Sequence, residues 1–343
     1  MESRVNKGWS MITRSRWQIK QVDWVEELRA AYTDPQLLLA ALNLTADDVD
    51  LATNSGGFPF RVPRPFVSRM RRADPHDPLL LQVLPRADEL VEVPGYALDP
   101  VGDLDCRRSP ALLQKYSGRA LLLLTGGCAI YCRYCFRRHF PYAQATGSAN
   151  IERAIEDVRS DRTISEIILS GGDPLMLDDD TLANIIEQFA AIGHLRRLRI
   201  HTRLPVTVPA RFTDALVTTL SRTRLDSVVV LHVNHPNEID DELTTTLRRC
   251  ARAGIHLLNQ SVLLRGINDN ADILAKLSES LFAASVLPYY VHLFDPVAGA
   301  AHFDVSEPAA RAIAAALRAR LPGYLVPRFV REVPGENAKM PIA

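Results

Sequence analysis

Five cysteines stand in this 343-residue chain, at positions 106, 128, 132, 135 and 250, and three of them fall within eight residues. The run Cys128-Ala129-Ile130-Tyr131-Cys132-Arg133-Tyr134-Cys135 has the spacing C-x3-C-x2-C. An odd, clustered set does not describe a disulfide framework; it describes a metal site. Three thiolates on one short loop can hold three corners of a cubane iron–sulfur cluster, and full protein ligation of such a cluster takes a fourth cysteine. None lies nearby, so one iron would keep an open position for a small molecule. Zinc is the alternative. It wants four ligands, commonly in two C-x2-C pairs, and His139 could be a fourth, but C-x3-C suits a zinc knuckle poorly.

These cysteines must be held by a scaffold, and the chain around them has a regular pattern. From about Arg119, short apolar runs alternate with amphipathic segments. Strands are expected at Ala120–Leu124, Glu166–Leu169, Leu198–His201, Ser227–Val233, His256–Val262 and Pro288–Phe294. Helices are expected near 151–159, 179–192, 211–221, 239–252, 271–284 and 307–320. Six strand-then-helix units imply a parallel sheet, because each helical crossover returns the next strand in the same direction. Six units rather than eight suggest an open, partial barrel, and barrel chemistry gathers at the C-terminal ends of the strands. Those ends carry Gly126-Gly127-Cys128, Ser170-Gly171-Gly172-Asp173, Arg203, His232 with His235, Gln260 and Asp295. That coincidence points to an enzyme with its site at the barrel mouth. His232 and His235 could pair on zinc, but the strand end offers no cysteine, so a buried, hydrogen-bonded histidine is the better reading.

The first 95 residues read as a helical region broken by prolines. Val22–Tyr32 and Pro35–Leu42 have helical spacing, with Asp34 as N-cap. Phe58–Phe66 holds three prolines, which remove donors, and is expected to be an extended connector. The fold class is thus α/β, a partial (β/α)6 barrel over residues 96–343 with a helical N-terminal extension over 1–95. Forty Lys and Arg balance forty Asp and Glu, which leaves no general footprint for nucleic acid or an anionic membrane. A 47% hydrophobic share with 23% charged residues is that of a globular chain. Residues 1–17 have no apolar run of the length a signal peptide needs, so a cytoplasmic protein with reduced thiols is expected.

The cysteine run at the end of a first barrel strand resembles the signature of radical S-adenosylmethionine enzymes. The resemblance implies that the open iron of a [4Fe-4S] cluster binds the amino and carboxylate groups of S-adenosylmethionine, whose cleavage yields an adenosyl radical. Gly171-Gly172-Asp173 resembles that family's Gly-Gly-acid segment, which meets the amino group of the same cofactor. The likeness narrows to lysine 2,3-aminomutases through Lys115–Arg138, SGGDPLM, HTRLPVTVP, HVNHPNE, LNQSVLLRGIND, PYYVHLFD and REVPGENAK. Within that family, RRHFPY after the cysteines is most similar to the branch that forms (R)-β-lysine for the modification of elongation factor P. This implies a functional link to that factor and to its lysyl-transferring enzyme. It also implies L-lysine as substrate and an electron donor such as flavodoxin or ferredoxin.

A 1,2-shift of an amino group needs a carrier that holds nitrogen beside a carbon radical, which pyridoxal 5′-phosphate provides from a Schiff-base lysine. The resemblance assigns that role to Lys339, after Pro334-Gly335-Glu336-Asn337-Ala338. It implies Arg119 and Lys115 as cations near the pyridoxal group, and Arg203, His232 and Gln260 as residues around S-adenosylmethionine. Arg137 stands at the substrate-carboxylate position, suited to a guanidinium fork. Asp295 and Glu332 match two acids used for the distal ammonium. Glu332 replaces Asp, Lys115 replaces Arg, and His292 replaces Tyr relative to the catabolic members. Glutamate as substrate would want a cation where Asp295 and Glu332 stand, whereas arginine stays open. Outside the enzyme class, the alternative is a zinc-stabilised binding module. Cys106 and Cys250 have no partners by spacing and read as inert, packed thiols.

Overall fold

Strand and helix alternate from Arg119 onward as the hydrophobic pattern requires. The structure, a computed structural model, describes residues 23–52 and 57–342; Val22 and the N-terminal stretch read above for targeting lie outside the described residues. The N-terminal helices are α1 (Trp24–Arg29), α2 (Pro35–Ala41) and α3 (Arg64–Val67). Asp34 caps α2 as expected, its carboxylate accepting from Gln36 N at 2.8 Å. Phe58–Pro63 is extended, but Arg64–Phe66 begins α3, a correction to the connector reading. Proline in a first helical turn lacks only a donor that would be unpaired there anyway, so Pro65 is tolerated.

Ten strands form one sheet in chain order. β1 (Arg107–Ser109) and β2 (Leu112–Leu113) enter antiparallel and lead into β3 (Arg119–Thr125). β4 (Glu166–Gly171), β5 (Arg197–Thr202), β6 (Asp226–Leu231), β7 (His256–Val262) and β8 (Leu287–His292) follow in parallel. The crossovers run through α4 (Tyr142–Ala145) and α5 (Ser148–Ser160), α6 (Asp179–Ala190), α7 (Leu204–Thr207) and α8 (Asp214–Arg222), then α9 (Asp241–Arg252) and α10 (Ala271–Ala283). After α11 (Glu307–Arg320), a seventh parallel strand, β9 (Arg328–Arg331), pairs with β8, and β10 (Met340–Pro341) returns antiparallel on β9. Six strand–helix units are present, as the pattern implied. The chain adds strands at both edges, too short or too polar to stand out by periodicity.

Side-chain oxygens cap the crossover helices where the chain carries Asp178, Thr213, Asp240 and Asn270, which satisfies donors that a helix start leaves free. α9 buries Leu243, Leu247 and Cys250, and α11 buries Ala310, Ala314 and Leu317, each a stripe at helical spacing. These stripes close over the outer face of the sheet. On β5, Leu198, Ile200 and Thr202 face that core, so Arg199 and His201 must face the concave side. The N-terminal region has its own apolar cluster from Leu38 to Leu84, which includes Ile130 of the cysteine loop and packs on Cys132. Among the described residues no helix is long and apolar enough to cross a membrane.

Candidate active site

The loop that leaves β3 is threaded between two backbones. Gly172 N donates to Thr125 O at 2.7 Å, and Asp173 N donates to Gly127 O at 2.9 Å. A side chain at Gly172 would put its Cβ 2.4 Å from Gly127 O. One at Gly171, where φ is +130°, would fall 2.4 Å from Thr125 O. The two glycines are therefore required by the close approach of two strand ends. Asp173 is a clip. Its Oδ2 accepts from the N–H groups of Arg203 and Leu204, both at 2.8 Å, and its Oδ1 accepts from Leu175 N and the Thr202 hydroxyl. Its carboxylate is thus spent on joining the ends of β4 and β5.

Cys128, Cys132 and Cys135 all line one cavity of about 590 Å³, a size suited to ligands of cofactor scale. Arg203 Nη1 donates to Cys132 Sγ at 2.8 Å, and to the Tyr134 hydroxyl. Its Nη2 donates to Gln82 Oε1 at 2.7 Å and pairs with Glu238 at 3.0 Å. Asn234 and His232 complete this buried group around Tyr134, with His232 Nε2 at 3.0 Å from the hydroxyl and the two rings stacked. Burial and then the Arg203 charge push His232 down to about 3, so its ring is neutral. His235 instead caps the turn that follows, accepting from Asn237 N. The two histidines serve different partners, as the hydrogen-bonded reading anticipated.

The same cavity is lined by Lys115, Arg119, Arg137, Gln260, Asp295, Glu332 and Lys339. β9 delivers Glu332, and the turn between β9 and β10 brings back Lys339, whose ammonium pairs with Glu332 Oε2. Lys115, which follows β2, pairs with Glu332 Oε1 at 2.9 Å and with Asp103 at 2.7 Å. It also donates to Val101 O at 2.8 Å. The resemblance places Lys115 as a cation near the pyridoxal group, and here its three donors meet two carboxylates and a carbonyl. Burial alone would raise Glu332, but Lys339 and Lys115 hold it down at about 2. Arg137 donates from Nε to Asp103 at 2.6 Å and from Nη1 to Ser170 Oγ at 3.2 Å. Asp295 has no hydrogen bond or ion pair to its carboxylate among the described residues. Burial, with the Glu332 charge adding to it, pushes it up to about 7.

Every residue that the resemblance assigns to the cluster, the cofactors or the substrate lines this one cavity, whereas His139, His235, Cys106 and Cys250 do not. Several of its lining residues were not singled out: Asp103, Tyr134, Tyr142 and His201. His201 had a signal, since the alternation of β5 puts it on the same face as Arg199. Its Nε2 is buried with no partner among the described residues. Asp103 had none, lying in a loop ahead of β1. Cys250 is buried in the barrel core, as expected for an inert thiol, and Cys106 is half-buried ahead of β1.

The donor sets fit the groups that the sequence implied. Among the described residues no three His, Cys, Asp or Glu side chains converge as one metal ion would need. A cubane cluster takes each thiolate on its own iron and needs no such convergence. Burial raises the Cys128 thiol well above its ordinary value and Cys135 to about 11, so metal binding there would displace protons. Arg119 has no acid partner among the described residues, its guanidinium lying over the Tyr116 ring at 4.5 Å, and it can meet a phosphate.

The sequence profile of the Radical SAM superfamily matches residues 122–277, from β3 into α10, and the chain belongs to that superfamily. It is 49% identical over 325 residues to the L-lysine 2,3-aminomutase of Escherichia coli, covering 93% of this chain and 94% of that one. Against the L-lysine 2,3-aminomutase of Haemophilus influenzae it is 45% identical over 322 residues, covering 93% and 95%. It is 35% identical over 332 residues to that of Clostridium subterminale, covering 95% of this chain and 77% of the relative. Within the superfamily, the chain is a member of the lysine 2,3-aminomutase family.

Proposed function

We propose that this protein is an L-lysine 2,3-aminomutase, an isomerase that moves the amino group of L-lysine between C2 and C3 to interconvert it with β-lysine. The observation that carries the reading is that one cavity joins the three-thiol loop to Lys339 and an acid pair, Asp295 and Glu332. When bound, the cluster with S-adenosylmethionine supplies hydrogen-atom abstraction, and pyridoxal phosphate supplies the conjugated system through which nitrogen migrates.

The chain's own residues do the rest. Cys128, Cys132 and Cys135 would hold the cluster, with Arg203 donating to Cys132. Lys339 would anchor the pyridoxal group and Arg119 its phosphate. Around S-adenosylmethionine would stand the backbone at Gly171, Gly172 and Asp173, with His232 and Gln260. Arg137, oriented by Asp103, presents its guanidinium to the substrate carboxylate. Asp295, which lacks a cation of its own, takes the distal ammonium, joined by Glu332 once Lys339 is engaged.

On the resemblance of RRHFPY to the elongation-factor branch, the product is read as (R)-β-lysine for the modification of elongation factor P in the cytoplasm. Flavodoxin or ferredoxin would be the reductant. The division near residue 95 belongs to the same reading, the first part bracing the cysteine loop. Anaerobically reconstituted protein with dithionite, S-adenosylmethionine, pyridoxal phosphate and L-lysine should form β-lysine, the R enantiomer by chiral chromatography. No turnover with an intact cluster and bound pyridoxal would overturn the assignment.

A further inference from the structure

Outside the cavity, the cysteine loop is gripped by a carboxylate that takes no part in the site described above. Glu89 lies on a short 3-10 turn of the N-terminal region and is almost fully buried. Its Oε1 accepts from Arg133 Nε at 2.7 Å, and its Oε2 accepts from Arg133 Nη2 and, at 2.8 Å, from Arg138 Nη2. Arg133 and Arg138 bracket Cys135, two residues before it and three after. Arg133 is fully buried, and the Arg138 side chain is 4% exposed. Phe58 lies against both guanidiniums, with their carbons 4.8 and 4.7 Å from its ring centre. Arg138 Nη1 closes the turn by donating to Arg133 O at 3.0 Å and to Gly299 O at 2.8 Å. Gly299 admits this contact, because a Cβ there would fall 3.4 Å from the guanidinium.

Two consequences follow from elementary electrostatics. The fork-like pairing of Arg133 fixes direction as well as distance, so the backbone carrying Cys135 is held from behind. Two guanidiniums against one carboxylate also leave one positive charge buried beside that cysteine, and the Arg138 charge reaches its thiol. A cluster held by three thiolates is anionic and gains a further negative charge on reduction. Nearby positive charge therefore favours its reduced form.

We infer that Glu89 is a positioning residue for the iron–sulfur site, fixing the Cys135 segment through Arg133 and Arg138 and setting how much positive charge faces the cluster. The inference rests on the reading of the cysteine loop as a cluster site. The two separate cleanly: if the wild-type chain binds no cluster that reading fails, whereas wild-type behaviour of the Glu89 variants overturns only the role of Glu89.

The test uses the full chain, reconstituted anaerobically with iron and sulfide, and reads iron content, loss of iron to a chelator, and the midpoint potential by EPR-monitored redox titration. Glu89→Gln keeps the volume but doubles the surplus positive charge, and its midpoint should shift to less negative potential. Glu89→Asp keeps the charge but retracts it by one methylene. Its midpoint should stay near that of the wild type while iron is lost about tenfold faster, the scale on which partners of metal ligands act. Wild-type midpoint in Glu89→Gln, together with wild-type iron retention in Glu89→Asp, overturns the inference. Should the Glu89 variants fail to fold by circular dichroism, Phe58→Leu takes their place. It leaves every charge in position and removes only the ring shared by the guanidiniums, so faster iron loss at an unchanged midpoint is expected. Wild-type retention there overturns the inference equally.

Discussion

The two ends of the cavity are built on different electrostatic plans. Around Cys132, charge is matched and locked: Arg203 pairs with Glu238 at 3.0 Å, and the fully buried Gln82 and Asn234 tie into the same group. At the other end, two lysines share the single carboxylate of Glu332, while half-buried Asp295 has no ion pair among the described residues. A hydrogen-bonded buried network rigidifies the chain around it. An unpaired buried carboxylate carries a desolvation cost that an incoming ammonium relieves. The first plan suits a site that must hold a cofactor in one geometry. The second suits one that must recognise and release a charged substrate.

Substitutions that destroy one end and spare the other break this comparison most severely. Cys132→Ala should abolish turnover and cluster binding, while pyridoxal absorbance on Lys339 persists. Loss of both signals in a folded variant would show that the ends are not separable. Lys339→Ala is the mirror image. Pyridoxal absorbance and activity should vanish with iron and sulfide content unchanged, and a variant that still forms β-lysine would remove Lys339 from its role.

A smaller effect probes the open demand at the carboxylate end. Asp295→Asn should raise KM for lysine about 10–100-fold, the worth of one hydrogen bond to a charged group. The pH dependence has a defined sign. Asp295 is protonated below about 7 in the ligand-free chain, and only its ionised form attracts an ammonium. The substrate amine, with an ordinary value of about 10.4, stays charged throughout this range. Lysine capture should therefore strengthen as pH rises through about 7, seen as a rising limb in kcat/KM, and that limb should disappear in Asp295→Asn. A limb that survives belongs to another group.

The smallest effect is expected at Cys106, half-buried ahead of β1. Cys106→Ser should leave iron content unaltered and shift stability by about 0.5 kcal/mol or less. A drop in iron content would make it a ligand and upset the division of five thiols into three and two.

Much of the scaffold was legible because it rests on local chemistry. The period of the apolar residues set α9 and α11, and Asp34 announced the start of α2 by residue type. Only α3 ran against its prolines, since Pro65 at the beginning of a helix costs almost nothing. β1, β2 and β10 were not legible. Two or three residues carry no period, and such strands exist only because a neighbouring edge offers them partners. The site divides in the same way. Three thiols at C-x3-C-x2-C spacing announce themselves, whereas Asp103 is an ordinary loop acid until folding sets it between Arg137 and Lys115.

By itself the sequence determined the order of strand and helix, the three cysteines as a set, and the family to which the chain belongs. These depend on neighbours along the chain or on residue type. Only the tertiary structure decided how the charges are spent. It committed Asp173 to backbone donors and Lys115 to two acids, and it left Asp295 without a partner among the described residues. Charge pairing depends on distances across the fold, between residues as far apart as Lys115 and Glu332, which spacing along the chain does not contain.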